Sequence, residues 1–310
     1  MNWTKAYLLS IVLALHTACT SMAPESIVEI GHESKHLIDT QFLTDIIDHD
    51  SVVIIDMRKP AEYIQGHITG AVNIWRPDIQ KDSLAYSGII APKWKIEKLF
   101  SELGIRNNDY LVIYDDKASC DAARLWWILD YYGFQNTALL DGGLRTWKKS
   151  NSLSQEASIK NKTRFNLPSK NAPSRYIGLE ELIDANGDSS LIVIDSRTTE
   201  EYRGNYLKEG ASDKGRIPGS INIDWVEAVN YEEGTFKKKE ELLSIFSDKG
   251  IDSTSNIVVY CHSGVRSAHS TFVLTQLLGF DSVRNYDGSW IQWSYNKLPL
   301  ERSESTQVTN

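Results

Sequence analysis

Cys261 lies in the stretch VVYCHSGVRSAHSTFVLTQLLGF, directly behind the apolar run Ile257–Tyr260. That run reads as a buried strand, and an apolar-periodic helix begins near Arg266. The loop between them is Cys261, His262, Ser263, Gly264, Val265 and Arg266. Backbone N–H groups of a strand-to-helix loop can converge on one point, aided by the helix N-terminus. Gly264 permits the tight conformation this requires. An anion is stabilised at such a point, so a cysteine at the loop's first position has its pKa drawn down. Arg266 and His262 are expected to add positive potential. Together these features make a thiolate nucleophile near neutral pH, provided the sulfur is open to solvent. An inert buried thiol at a strand end would require none of them.

The chain supplies an internal control. VVIIDMR at 52–58 is repeated as LIVIDSR at 191–197, GHITGAVNI at 66–74 as GRIPGSINI at 215–223, and LVIYD at 111–115 as IVVYC at 257–261. Gly133-Phe134 pairs with Gly279-Phe280, Asp141-Gly142 with Asp287-Gly288, and Trp147 with Trp293. The offset is 139 at Asp56 and Asp195, 149 at Gly66 and Gly215, and 146 from Tyr114 onward. The second copy therefore carries ten extra residues between Tyr202 and Gly215, then three fewer. Ordered matches at near-constant offsets mean two copies of one domain. At the offset of 146, Cys261 falls on Asp115, in a loop reading DDKASC. That loop has no glycine, no arginine and two adjacent acids, so the first copy is expected to be inactive. Cys120 aligns with Arg266 and reads as a structural thiol.

The elements that position these loops follow from pattern. Val52–Ile55, Leu111–Tyr114, Ala138–Leu140, Leu191–Ile194 and Ile257–Tyr260 are continuous apolar runs, as in strands covered on both faces. Helical periodicity runs through 93–103, 122–132, 238–246 and 266–278. Alternating strands and helices predict an α/β fold with a mostly parallel sheet in each copy. Trp126 and Trp127 fall in a helix pattern and should fill core or domain interface. Polar, proline-containing residues 151–174 read as the linker, between domains at 37–150 and 175–300, with a frayed tail at 301–310. The 310 residues are enough for two such domains, and 41% hydrophobic with 24% charged residues is an ordinary globular balance. A net charge of −8 argues against nucleic acid as a partner, and three cysteines are too few for a disulfide scaffold.

Residues 1–23 read as a signal peptide, with Lys5 ahead of the apolar run AYLLSIVLAL. Cys19 after Ala18 resembles a lipobox, although His16 departs from it. Two readings stand: acylation of Cys19, giving a membrane-anchored lipoprotein, or removal of Cys19 with the leader, giving a periplasmic protein. His32-Glu33-Ser34-Lys35-His36 matches the H-E-x-x-H zinc pattern, but Gly31 precedes it and no apolar periodicity surrounds it. It is read as a decoy.

These residues resemble the rhodanese family, specifically its two-domain sulfurtransferases. The resemblance covers about residues 37–300. It rests on Asp56-Met57-Arg58 and Asp195-Ser196-Arg197, Gly-His-Ile-x-Gly-Ala at 66–71, Arg-Leu-Trp-Trp at 124–127, Leu-Leu-Asp-Gly-Gly at 139–143, and the Cys261 loop. It implies tandem α/β domains with a five-stranded sheet each, the second one catalytic. It implies a ping-pong reaction in which Cys261 takes a sulfane sulfur as a persulfide and passes it to cyanide or a thiol, with no metal or organic cofactor. The donor is thiosulfate or 3-mercaptopyruvate. Ser263-Gly264-Val265 looks like the mercaptopyruvate branch, whose Asp, His and Ser arrangement could come from Asp56, His67 and Ser263. Glu201 stands where that branch has a carboxylate-binding arginine, which favours thiosulfate. Arg197 and Arg203 are further candidates for anion contact, Arg197 equally for a structural ion pair. A monomer is expected.

Two rivals differ in class. Phosphatases sharing this fold have five residues between cysteine and arginine, whereas Cys261 and Arg266 enclose four. The shorter loop suits a sulfur atom better than a phosphoryl group. A non-catalytic binding module would not require the intact Cys261 loop.

Overall fold

The computed structural model describes residues 36–81, 85–158, 161–168 and 175–303. Both repeats lie in one unit, His32–Asn310. Cys19, the leader and the first four residues of the H-E-x-x-H run lie outside the described residues.

The first repeat runs β1 (Leu37–Ile38), α1 (Thr40–Ile46), β2 (Val52–Asp56), α2 (Pro60–Gln65), β3 (Val72–Asn73), α3 (Lys93–Glu102), β4 (Tyr110–Tyr114), α4 (Cys120–Tyr131), β5 (Thr137–Leu140) and α5 (Gly143–Trp147). The second runs β6 (Tyr176–Ile177), α6 (Leu179–Ala185), β7 (Leu191–Asp195), α7 (Thr199–Arg203), β8 (Ile221–Asn222), a hairpin of β9 (Val229–Asn230) and β10 (Thr235–Phe236), then α8 (Lys239–Ser247), β11 (Asn256–Tyr260), α9 (Val265–Phe272), β12 (Val283–Tyr286) and α10 (Ser289–Tyr295). Each repeat builds a five-stranded, wholly parallel sheet, ordered β1-β5-β4-β2-β3 and β6-β12-β11-β7-β8. All five residues of β2 and of β4 are buried, as strands sandwiched between helices must be.

The long apolar strands and main helices match their sequence patterns to within one or two residues. The two-residue edge strands and β12 (VRNY) escape the pattern, being too short or too polar to register. The helix expected over 266–278 ends as regular α-helix at Phe272 and continues as a π-helical turn, Val273–Leu277. Thr271 and Thr275 donate to the carbonyls four residues earlier, at 2.8 and 2.7 Å, a habit that bends helices.

The linker is not loose. Phe165 and Leu167 are buried in the first repeat's core, with the Phe165 ring 4.9 Å from Phe100 and 5.5 Å from Phe134. Ser154 exchanges backbone hydrogen bonds with His67. The tail is also tied down at its start: Glu301 pairs with Arg216 through two backbone bonds. Apolar side chains hidden in a polar composition explain the first difference, and backbone pairing, invisible in side-chain patterns, the second. Among the described residues no helix is long and apolar enough to cross a membrane.

The two repeats meet along α4 and α9, the helices that follow the two equivalent loops. Trp126 stands edge-on to Phe272 at 4.8 Å. Arg124, 1% exposed, reaches from α4 into the second repeat and pairs with Asp287 at 2.6 Å. Burying that charge is tolerable because it is paired and also donates to the carbonyls of Gly88 and Gly264.

Candidate active site

β11 lies between β12 and β7 and ends at Tyr260, so Cys261 emerges at the carboxyl edge of its sheet, where α/β folds place functional loops. Gly264 opens α9 with φ +78°. A Cβ there would lie 2.8 Å from both Arg124 Nη1 and the Asp287 carbonyl oxygen. Glycine is thus required by conformation and by space.

The Cys261 sulfur accepts from Ser267 Oγ at 3.5 Å and from the backbone N–H groups of Ser267 and Ser263. Burial pushes the thiol's pKa up, but Arg266 and these donors outweigh it, and the net direction is down from the ordinary thiol value. Arg266 is held by a bidentate bond to Glu201, at 2.7 and 2.8 Å. Burial opposes ionisation of Glu201, yet Arg266 holds its carboxyl at about 2.

His262 departs from expectation. Its Nε2 donates to the Glu209 carbonyl at 2.9 Å, and burial, then Lys208, lower its pKa to about 4. It is neutral at pH 7 and adds no positive charge. Two unforeseen cations stand near the sulfur instead. The Lys208 ammonium interacts electrostatically with Arg266, Glu201, Cys261 and Arg76. Arg76, from the first repeat, is ion-paired with Asp121 and acts electrostatically on Cys120 and Cys261. The signal for Lys208 was the ten-residue insertion between Tyr202 and Gly215. That segment is pinned over the site, with Glu209 on His262, Ser212 N–H on Ser294 Oγ at 3.1 Å, and Trp290 Nε1 on the Asp213 carbonyl at 2.8 Å. Nothing in the sequence marks Arg76, because its role comes from the way the two repeats face each other.

The expected openness of the thiol is also corrected. Cys261 is 1% exposed. The loop lies under the domain contact, where a Cβ on Gly88 would fall 2.9 Å from Ser263 Cβ, and where Ile90 N–H donates to Asp287 at 2.8 Å. The Cys261 side chain is therefore covered in the structure rather than open to solvent.

The first repeat's loop turns at the equivalent position, with Ala118 (φ +52°) and also Ser119 (φ +62°) left-handed, and holds a different occupant. The Asp115 carboxylate accepts from the N–H groups of Lys117, Ser119, Asp121 and Ala122, at 2.8, 2.9, 2.7 and 2.9 Å. At the offset of 146 these donors correspond to Ser263, Val265, Ser267 and Ala268. Cys120 is buried, and burial, then Asp121, raise its pKa well above the ordinary thiol value.

Comparison with known proteins agrees with this geometry. Residues 39–150 and 178–296 each match the Rhodanese-like domain. This chain belongs to the rhodanese family of sulfurtransferases. It is 33% identical over 282 residues to a protein of Saccharopolyspora erythraea named "Putative thiosulfate sulfurtransferase", covering 86% of this chain and 96% of the relative. It is 35% identical over 293 residues to the sulfur carrier protein TtuD of Thermus thermophilus, covering 91% and 98%. The crystal structure of SseA from Escherichia coli, described among 3-mercaptopyruvate sulfotransferases, matches with TM-score 0.74 and 27% identity over 83% of this chain and 99% of SseA.

Within this rhodanese chain, Asp56 and His67 are not brought to Ser263. Asp56 is bound by Arg58 (2.6 Å) and Tyr114 (2.6 Å), and His67 by the carbonyls of Tyr63 and Glu156. Both are wholly buried. Arg197 repeats the Arg58 arrangement, pairing with Asp195 at 2.6 Å and lying 4.6 Å from the Trp290 ring centroid. In both repeats, then, Asp-x-Arg is a buried structural pair under the sheet edge. Arg203 is exposed at the end of α7, and no hydrogen bond or ion pair among the described residues joins it to the Cys261 loop.

Proposed function

We propose that this protein transfers the outer sulfur of thiosulfate to cyanide or a thiol through a persulfide on Cys261. The observation that carries the reading is a sulfur held by the N–H groups of Ser263 and Ser267 beside Arg266, in a cradle whose twin holds a carboxylate. In the first half-reaction the Cys261 thiolate attacks the outer sulfur. The sulfur–sulfur bond of thiosulfate breaks, and sulfite leaves with the electron pair. The terminal persulfide sulfur is then anionic and sits among donors already oriented for negative charge. In the second half-reaction cyanide attacks that sulfur and leaves as thiocyanate, regenerating the thiolate.

The donor assignment is supported by two features. Glu201, where a carboxylate-binding arginine would serve 3-mercaptopyruvate, is saturated by Arg266. Lys208, with no ion pair among the described residues, offers a further cation beside Arg266 to a dianion. The covering segments exclude water once the donor is seated. Steady-state rates with thiosulfate and with 3-mercaptopyruvate, cyanide as acceptor, test this in wild type and Cys261→Ala. Thiosulfate is expected to be preferred and the variant inert. Preference for 3-mercaptopyruvate would replace the donor, and an active variant would overturn the mechanism.

We also propose that the chain is exported by residues 1–23. If Cys19 is acylated, Cys19→Ala moves the protein from the membrane to the soluble fraction.

A further inference from the structure

Ser289 is buried with no exposed surface, and its φ is +50°, a conformation side-chain-bearing residues adopt at a cost. At the offset of 146 its partner in the first repeat is Gly143, with φ +51°. A Cβ on Gly143 would lie 2.2 Å from the Asp115 carbonyl oxygen, so the first repeat has no room for a side chain there. The second repeat keeps the strained backbone and uses the side chain. Ser289 Oγ donates to the Tyr286 carbonyl at 2.8 Å and accepts from the N–H groups of Cys261 and Gly264, both at 3.1 Å. The hydroxyl's single hydrogen and both lone pairs are thereby used. The residues behind it complete the grip: Trp290 N–H donates to the Cys261 carbonyl at 2.9 Å and Ile291 N–H to that of His262 at 3.0 Å.

We infer that Ser289 is a positioning residue for Cys261, its hydroxyl clamping the first and fourth residues of the loop from behind. The clamp sorts the loop's donors. The N–H groups of Cys261 and Gly264 are turned away to Ser289, and those of Ser263 and Ser267 are left facing the sulfur. This rests on the reading of Cys261 as the nucleophile, and not on which donor serves it. The strain at Ser289 is an observed outlier, and loop organisation is the function that accounts for its retention.

The test uses Ser289→Gly and Ser289→Ala in the full-length protein. Glycine relieves the left-handed strain and deletes the hydroxyl, while alanine deletes the hydroxyl and keeps the strain. Gly143 shows that this fold accepts glycine in that conformation, so Ser289→Gly is expected to fold. The first readout is the ultraviolet thiolate absorbance of each protein, titrated with pH and corrected by the same variant carrying Cys261→Ser. The second is the single-turnover rate of persulfide formation with thiosulfate. Both variants are expected to titrate at least about half a pH unit above wild type. Both should form persulfide about tenfold more slowly, with the thiosulfate KM within about twofold of wild type. A Ser289→Gly protein with the wild-type midpoint would overturn the inference, since the position would then matter only for its backbone. The titration needs no donor, so an inert wild type would count against thiosulfate as substrate while leaving the clamp to be judged on its own readout.

Discussion

The two strand-to-helix loops of this chain, at 115–120 and 261–266, occupy equivalent places in the two sheets and have opposite chemistry. In the first, four N–H groups close on the carboxylate of Asp115, a residue of the loop itself. In the second, the corresponding cradle receives the sulfur of Cys261. Burial, then Asp121, raise the Asp115 pKa to about 6, so its four N–H donors only partly offset the cost of holding that charge. A cradle of oriented amides is a property of the fold, and reactivity depends on which atom occupies it. The surrounding charges follow the same division. Arg266 stands in the second loop where Cys120 stands in the first, and Asp121 replaces Ser267. One loop thus favours a thiolate, and the other raises the pKa of the thiol it holds.

The contrast can be broken most severely at Cys261, the proposed nucleophile. Cys261→Ser should lower sulfur transfer by ~10³-fold or more, with little change in the denaturation midpoint. Asp115→Ala should do the reverse. It leaves four buried N–H groups without their acceptor, which at about 1 kcal/mol or more apiece should cost on the order of 4 kcal/mol in chemical denaturation, with the Cys261 thiolate still formed. A smaller effect is expected at Lys208, which has no equivalent in the first repeat. Lys208→Met should raise the thiosulfate KM several-fold, about 1 kcal/mol of lost binding, and Lys208→Arg should restore most of it. Glu201→Gln sharpens the comparison through pH. The folded-state pKa of Glu201, about 2, lies below its ordinary 4.5. Its contribution to stability is therefore fully present above pH 4.5 and is lost as pH falls toward 2, so the variant should show a flatter acid-unfolding limb between those values. The smallest effect is expected for Cys120→Ser, whose transfer rate should stay within about twofold of wild type.

The fold was legible because buried parallel strands are continuous apolar runs and because the chain repeats itself. β2, β4, β7 and β11 announce themselves, and the offset of 146 identifies the loop pair from the sequence alone. The candidate loop was legible because Cys261, Gly264 and Arg266 are local: the strand end, the left-handed Gly264 and the helix start directly behind it all follow from spacing. What failed was whatever depends on the two repeats facing each other. The cover over Cys261, the approach of Arg76 and the cross-domain grip of Arg124 are contacts between residues far apart in the chain. His262 looked like a source of positive charge, but burial and Lys208 keep it neutral. Asp56 and His67 were candidates through the resemblance to the mercaptopyruvate branch, and Arg197 was read as either an anion contact or a structural ion pair, the second of which matches its bond to Asp195. The buried hydrogen bonds of Asp56 to Arg58 and of His67 to the Tyr63 carbonyl show those two holding the sheet edge instead. Ser289 was hidden because its significance lies in a backbone angle.

The most direct test of the account is the mass of the protein after treatment with thiosulfate alone, followed by location of the added sulfur. One extra sulfur atom on the peptide carrying Cys261, absent from Cys261→Ser and retained in Cys120→Ser, is the expected result. Turnover of thiosulfate with Cys261 unmodified, or sulfur carried on Cys120, would contradict it.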